Sequence, residues 1–247
     1  MQHKKRKNLW IVLGVLVLIF GIGTVWYLSD AYEPQKMAIE ALKSTNDVTV
    51  IDGKDYISFE PKVNKTSSGL IFYQGGKVEE EAYAPLMKSL AEKGISVYLV
   101  RMPFNLAVFN SDAAEEVLMD HQKINNWYLS GHSLGGVMAA SFAGKQPEEF
   151  EGVIFLASYP AGDFSATSID TLSIHGTNDE VLNKEAYVEA FDSLPKGNTV
   201  VIEGGNHAQF GNYGHQKGDG TATISVGEQQ EVTVDRIIKF IEETADN

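Results

Sequence analysis

The sequence predicts an α/β protein with a mostly parallel, doubly wound sheet. Short apolar segments, mostly free of polar residues, alternate along the chain with longer segments whose apolar residues recur at helical spacing. Such apolar segments are typical of parallel strands that are covered on both faces. The chain has 247 residues, of which 43% are hydrophobic, so it is long enough to bury one large core.

The predicted elements follow one another from residue 47 to the C-terminus. Two strands at 48–51 and 56–59 flank a turn and predict an antiparallel hairpin at one edge of the sheet. Further strands are predicted at 70–73, 97–100, 127–130, 153–156, 172–174 and 199–202. Helices are predicted at 80–92, 113–121, 134–143, 183–191 and 232–243. No repeat or internal linker interrupts this order, so we expect one domain over 47–247.

The N-terminal segment has a different composition. Residues 1–8 contain four consecutive basic residues, and residues 9–28 are almost entirely apolar and carry no charge. About 20 apolar residues in a helix can cross a bilayer, and basic residues mark its cytoplasmic side. The sequence therefore predicts a cytoplasmic tail at 1–8, a transmembrane anchor at 9–28 and a tether at 29–46 before an extracytoplasmic domain. A cleaved signal peptide, which would give a secreted protein, is the alternative.

Charge and cysteine content exclude several classes of function. The formal net charge is −13, whereas nucleic-acid binding needs a basic surface, so nucleic acid is not a predicted partner. The chain has no cysteine, which rules out disulfides and thiolate nucleophiles. Its six histidines are scattered, and no cluster has the spacing of metal ligands, so we predict neither a metal nor a cofactor.

The segment Gly131-His132-Ser133-Leu134-Gly135 joins a predicted strand to a predicted helix. A G-x-S-x-G motif in a strand–turn–helix setting is typical of a nucleophile elbow. The glycines let strand and helix approach each other, and the serine hydroxyl projects from a strained bend toward a substrate. The motif predicts Ser133 as a nucleophile, with a turn that only packs as the alternative.

A serine nucleophile needs a base, and the base needs an acid that orients it. In doubly wound sheets, catalytic groups collect in loops at the carboxyl ends of the strands. The loop after the next-to-last strand carries Asp179, and the loop after the last strand carries His207. We predict Asp179 as the acid and His207 as the base, in the chain order expected with such an elbow. Glu180 is the alternative acid, and His215 is the alternative base.

The oxyanion that forms during acyl transfer needs two N–H donors. Leu134, the residue after the nucleophile, is expected to supply one of them. The loop after the strand at 70–73 is expected to supply the other, because Gly75-Gly76 lets the backbone approach the substrate closely. Gly76 is the first choice of donor and Lys77 the second. An ordinary strand-to-helix turn is the alternative interpretation.

Three segments together resemble the α/β-hydrolase superfamily, over about residues 47–245. They are the elbow with the following Gly136, the segment Tyr73-Gln74-Gly75-Gly76-Lys77-Val78, and the segment Met102-Pro103-Phe104-Asn105-Leu106-Ala107-Val108-Phe109. The last two are similar to the bacterial fold-5 group, which is related to dienelactone hydrolase-like enzymes.

This resemblance implies the α/β-hydrolase fold, with Ser133 as nucleophile, Asp179 as acid and His207 as base. Gln74 departs from the pattern, because many relatives have histidine at this position. Lids in such enzymes are often inserted where residues 157–171 lie here, and this segment is too short for a helical cap. We therefore expect no large lid and an open cleft.

The expected function is a membrane-anchored, extracytoplasmic serine hydrolase that cleaves small or short-acyl carboxylic esters through an acyl-enzyme at Ser133. A lactonase, thioesterase or peptidase would use the same triad. A catalytically silent binding domain at the cell surface is the alternative from another class. Five residues are candidates for lining the cleft: Phe104, Tyr159, Pro160, Phe164 and Phe210.

Overall fold

The structure is a computed structural model that describes residues 2–160, 164, 167, 169–192 and 197–245. The chain divides into two compact units, residues 1–31 and residues 32–247, and each is described by itself. The predicted absence of a large lid concerns residues 157–171, several of which lie outside the described residues.

The first unit contains helix α1, Gln2–Ser29. A helix that crosses a bilayer needs about 20 consecutive, mainly apolar residues. Among the residues that the structure describes, no helix has both the length and the apolar character that such a crossing requires. The predicted transmembrane anchor over residues 9–28 is therefore wrong, and so is the single-pass membrane localisation that depended on it.

The second unit is built on a sheet of eight strands within its described residues. The strands are β1 Val48–Asp52, β2 Tyr56–Pro61, β3 Ser68–Tyr73, β4 Ser96–Val100, β5 Asn126–His132, β6 Gly152–Leu156, β7 Asp170–Gly176 and β8 Gly197–Ile202. Their order in the sheet is β1-β2-β4-β3-β5-β6-β7-β8. Strand β2 is antiparallel to both β1 and β4, whereas β3 to β8 pair in parallel. The predicted mostly parallel sheet with an antiparallel hairpin is confirmed.

The helices of this unit follow the predicted alternation with strands. They are α2 Lys36–Ala41, α3 Ala84–Glu92, α4 Ala114–Asp120, α5 Leu134–Ala143, α6 Lys184–Asp192 and α7 Val226–Thr244. The predicted helix at 80–92 begins as a 3₁₀ turn, Glu80–Tyr83, before α3. Pro85 lies in the first turn of α3, where its missing N–H costs no helical hydrogen bond.

Helix α7 begins six residues earlier than the sequence pattern predicted. The hydroxyl of Ser225 accepts a hydrogen bond from the Glu228 N–H at 3.2 Å, and the Glu228 carboxylate accepts one from the Ser225 N–H at 2.8 Å. This capping box satisfies two N–H groups and starts the helix at Val226, ahead of its apolar stripe.

Both faces of the sheet are covered by apolar cores. On β3, Leu70 and Phe72 enter the core that includes side chains of α3 and α7, whereas Ile71 and Tyr73 enter the core that includes α4 and α5. All six residues of β3 are buried, as expected for a strand between two helical layers. The loops that follow β3, β5, β7 and β8 therefore emerge at one carboxyl edge of a rigid sheet.

Candidate active site

Ser133 lies in the sharp turn between β5 and α5, with φ 52° and ψ −123°. A positive φ is strained for a residue with a side chain, and such strain clusters at functional sites. Neighbouring glycines make the turn possible. A Cβ on Gly131 would lie 2.4 Å from the Gly135 carbonyl carbon, and a Cβ on Gly135 would lie 2.3 Å from the Gln74 carbonyl oxygen. The turn therefore has no space for a side chain at either glycine.

The bend is fastened to the end of strand β6. The Ser133 N–H donates to the Leu156 carbonyl at 3.0 Å, and the Ser158 hydroxyl donates to the Ser133 carbonyl at 2.7 Å. Ala157, between these two partners, also has a positive φ of 47°. These contacts hold the backbone of Ser133 in one position, so its hydroxyl is presented by a rigid support.

Asp179 follows β7 and is fully buried. One carboxylate oxygen accepts the N–H groups of Val181 at 2.9 Å and Leu182 at 2.8 Å. The other oxygen lies 2.9 Å from Nδ1 of His207. Asp179 thus organises the following turn and also contacts the histidine.

His207 follows β8, and its side chain is also buried. Because Asp179 is a carboxylate that can only accept, the proton of a neutral His207 lies on Nδ1. Its Nε2 is buried and has no hydrogen-bond partner among the described residues. The imidazole therefore presents a free lone pair, which is the group that a general base needs.

The imidazole of His207 lies beside the elbow. The ring centroid of His132, the residue before Ser133, is 4.5 Å from that of His207. The structure thus brings Asp179 and His207 into contact and sets the His207 ring beside that of His132, the residue before the predicted nucleophile, while no hydrogen bond joins Nε2 of His207 to Ser133. The alternative acid and base, Glu180 and His215, are both exposed.

The hydrogen bonds of the loop after β3 distinguish between Gly76 and Lys77, the first and second choices for the second oxyanion donor. The Gly75 N–H donates to the Tyr83 hydroxyl at 3.0 Å, and the Lys77 N–H donates to the Asn105 carbonyl at 2.8 Å. Among the described residues, neither the Gly76 N–H nor the Leu134 N–H has a partner. A Cβ on Gly76 would lie 3.1 Å from the Leu134 side chain, so the two free N–H groups belong to adjoining residues.

Gln74 uses its side chain to hold this loop in shape. Its amide nitrogen donates to the Val78 carbonyl at 2.8 Å and to the Asn105 side-chain oxygen at 3.0 Å. Asn105 itself has a positive φ of 55°, which asparagine tolerates better than most residues. The residue that departs from the superfamily pattern is therefore buried and ties the predicted oxyanion loop to the loop after β4.

Tyr83 is a site residue that the sequence reasoning missed. It is fully buried, and its hydroxyl accepts the Gly75 N–H and is hydrogen-bonded to Nδ1 of His132 at 2.8 Å. Burial raises the pKa of Tyr83 well above its usual range, so the phenol stays protonated and can donate. Burial, and then the nearby His207, lower the pKa of His132 well below its usual value, so this imidazole is neutral. Tyr83 thus links the predicted oxyanion loop to the elbow.

Replacing Tyr83 with phenylalanine is expected to destabilise the fold by about 1–3 kcal/mol, because a buried N–H and a buried imidazole nitrogen lose their partner. Denaturant unfolding of the full chain would measure this change. A matched control is Tyr213→Phe, since the Tyr213 hydroxyl contacts the side chain of Gln216 in the loop between β8 and α7. An unfolding free energy equal to that of the unsubstituted protein would contradict the role given to the Tyr83 hydroxyl.

The aromatic residues predicted to line the cleft have different environments. Phe210 is fully buried and packs against His132, with 5.7 Å between the ring centroids. Phe164 is also buried, although most of its neighbours in sequence lie outside the described residues. Phe104 is 61% exposed and stands edge-on to Phe109 at 5.7 Å. Tyr159 is half-buried and Pro160 is buried. Phe210 thus packs against the residue that precedes Ser133.

A family model described as the alpha/beta hydrolase family matches residues 69–231, about two thirds of the chain. The chain belongs to the alpha/beta hydrolase family. The superfamily resemblance of the elbow and of the loops after β3 and β4 is therefore confirmed, and this protein is a hydrolase.

Solved structures of other hydrolases share the fold of this alpha/beta hydrolase. Est1E from Butyrivibrio proteoclasticus is 16% identical with a TM-score of 0.57, covering 82% of this chain and 100% of that chain. MGS-MChE2, an alpha/beta hydrolase enzyme from a sediment metagenome of the Mar Chica lagoon in Morocco, is 15% identical with a TM-score of 0.59, covering 79% and 98%. A protein described as a predicted CIB-like hydrolase from Thermoplasma acidophilum is 18% identical with a TM-score of 0.52, covering 77% and 96%.

At these identities the likenesses concern the fold alone. No curated protein matches the sequence of this alpha/beta hydrolase. Within the described part of the chain, no group of three or more acidic or histidine side chains is arranged to hold a metal ion.

Proposed function

We propose that this alpha/beta hydrolase is a serine hydrolase that cleaves small or short-acyl carboxylic esters through an acyl-enzyme at Ser133. The main support for the proposal is the set of contacts that the His207 ring makes. Its Nδ1 is bonded to the buried Asp179, its Nε2 has a free lone pair, and its ring lies beside the elbow. A base oriented by a carboxylate and set next to a strained serine is the arrangement used in acyl transfer at serine.

In the proposed reaction, the Ser133 Oγ attacks the ester carbonyl carbon while Nε2 of His207 takes its proton. The carbonyl electron pair moves onto oxygen, and the N–H groups of Leu134 and Gly76 donate to that oxyanion. The intermediate collapses, the carbon–oxygen bond to the alcohol breaks, and the alcohol leaves with the proton from His207. Water then attacks the acyl-enzyme, again with His207 as base, and releases the acid and the free Ser133 hydroxyl.

Asp179 has two supporting roles in this mechanism. Its carboxylate fixes the ring orientation and keeps the proton on Nδ1, so that the lone pair of Nε2 is available. Its negative charge stabilises the imidazolium that forms when His207 takes the serine proton.

Replacing Gly76 with proline removes the proposed second oxyanion N–H and is expected to lower kcat by about 10²–10³-fold. Gly76→Ala is the matched control, because it keeps the N–H and its Cβ would meet only leucine side-chain atoms, the nearest of them at 3.1 and 3.6 Å. Steady-state kinetics of both variants would measure the difference. A proline variant with folded structure and the kcat of the alanine variant would contradict the assignment of Gly76.

The substrate class is tested by measuring the turnover of the full chain on acetate, butyrate and longer esters, and on the matching thioesters and amides. We expect the highest kcat/KM for the short-chain esters. A higher value for thioesters or amides would change the proposed substrate class. The absence of hydrolysis of every substrate would contradict the proposal and favour a catalytically silent binding domain.

A further inference from the structure

A second buried carboxylate lies beside the base. Asp219 is in the loop between β8 and α7 and is 8% exposed. Its Oδ1 accepts the N–H of Gly220 at 2.8 Å and that of His207 at 3.3 Å, and its Oδ2 accepts the N–H of Ala208 at 2.9 Å. The carboxylate therefore fixes the backbone of His207 and of the residue that follows it.

Asp219 also reaches the loop that carries the acid. Its Oδ1 lies 3.5 Å from the Glu180 backbone nitrogen, which follows Asp179 directly in the chain. A Cβ on Gly220 would lie 2.0 Å from the Asn178 carbonyl oxygen, so the segment that carries Asp219 packs closely on the acid loop. One side chain therefore connects the two loops whose relative position sets the Asp179–His207 contact.

The hydrogen-bond partners of Asp219 are backbone N–H groups, and these carry no positive charge to offset that of a carboxylate. Within the described residues it forms no salt bridge, although acidic side chains are seldom buried without a cationic partner. The titratable side chains that contact His207 are Asp179 from the loop after β7, His132 from β5 and Asp219 from the loop before α7. Burial keeps His132 neutral by lowering its pKa, so the charged neighbours are the two carboxylates.

Gln229 on α7 holds the same loop without adding charge. It is fully buried, its amide nitrogen donates to the Asn206 carbonyl at 2.8 Å, and its oxygen accepts the Asn206 N–H at 3.0 Å. Asn206 precedes the base, so the loop has one neutral support and one charged support. Substituting each support in turn therefore separates the effect of holding the loop from the effect of the negative charge.

We propose that Asp219 is a positioning residue that fixes His207 against Asp179 and whose negative charge stabilises the imidazolium form of the base. The inference rests on the proposed function, because it assigns a role toward the base of that reaction. The carboxylate of Asp219 can accept several N–H groups at once, because each of its oxygens has two lone pairs. It also carries a negative charge, which the neutral side chain of Gln229 does not supply.

The test compares three variants of the full chain: Asp219→Asn, Asp219→Glu and Gln229→Met. Asp219→Asn is expected to lower kcat by about 10–100-fold with little change in KM, since a misplaced base affects the chemical step. It is also expected to move the acid limb of the kcat/KM profile to lower pH by about half to one unit, because the imidazolium loses a nearby negative charge. Gln229→Met is expected to lower kcat or Tm and to leave the acid limb in place.

An acid limb that stays in place in Asp219→Asn would overturn the proposal, and so would an equal movement of the limb in Gln229→Met. If Asp219→Asn does not fold, Asp219→Glu decides. Asp219→Glu keeps the negative charge. A lowered kcat with the acid limb at its original pH would therefore support the proposal, and an acid limb moved to another pH would contradict it. The pH dependence of the fluorophosphonate labelling rate gives the same readout without an ester, so failure of the ester assay is distinguishable from failure of this inference.

Discussion

Replacing Ser133 with alanine is expected to lower kcat for a short-chain ester by at least about 10⁴-fold, because no acyl-enzyme can form. The backbone N–H groups of Leu134 and Gly76, the proposed oxyanion donors, remain in this variant, so we expect any residual rate to come from oxyanion stabilisation and substrate binding. Steady-state kinetics on the best ester would measure the loss. KM is expected to change little, since the hydroxyl acts in the chemical step.

Ser130→Ala is the matched control for this variant. Ser130 lies in β5 three residues before the nucleophile, and its hydroxyl is buried without a hydrogen-bond partner in the described part of the chain. Its removal is expected to leave kcat nearly unchanged. A Ser133→Ala variant with more than about a tenth of the original kcat would end the assignment of the nucleophile.

Replacing Asp179 with asparagine is expected to lower kcat by about 10³–10⁴-fold with the fold intact. The side-chain oxygen of asparagine can keep the N–H groups of Val181 and Leu182, so the turn is preserved. Its NH₂ group then faces Nδ1 of His207 and favours the tautomer with the proton on Nε2. That tautomer has no lone pair at Nε2 to take the serine proton.

The alternative acid provides the control for this prediction. Glu180→Gln changes the charge of the next residue, whose side chain is exposed, and is expected to change kcat by less than about threefold. Circular dichroism and Tm of both variants would establish that they are folded. A larger loss in Glu180→Gln than in Asp179→Asn would transfer the role of the acid to Glu180.

Local signals in the sequence predicted the sheet well. Strands β3, β4 and β6 are short, mainly apolar runs because both of their faces are buried. The elbow was also recognisable, since the whole motif lies within five consecutive residues, although the backbone that excludes a side chain at Gly135 belongs to the distant Gln74. A capping box at Ser225 and Glu228 could have placed the start of α7, although the apolar stripe alone did not.

Contacts between distant segments were not visible in the sequence. Tyr83 contacts His132 across 49 positions, and Gln229 reaches Asn206 across 23. Asp219 is 12 positions from His207, in a segment rich in glycine and polar residues. No periodicity or motif marks such residues, because their roles arise only when the loops meet at the carboxyl edge of the sheet.

The N-terminal prediction failed for a different reason. Apolar composition over residues 9–28 was taken as sufficient for a membrane span, whereas no helix among the described residues meets that requirement. All the proposed catalytic groups belong to the unit of residues 32–247, so the proposed chemistry does not need that segment.

The proposed mechanism requires that His207 activates Ser133 for nucleophilic attack. Its most direct test is to incubate the folded full chain with a fluorophosphonate, digest it and locate the adduct by mass spectrometry. We expect a single phosphonyl group on Ser133, with labelling lost after unfolding and strongly slowed in His207→Gln. An unmodified Ser133 under conditions in which the chain still hydrolyses esters would contradict the claim.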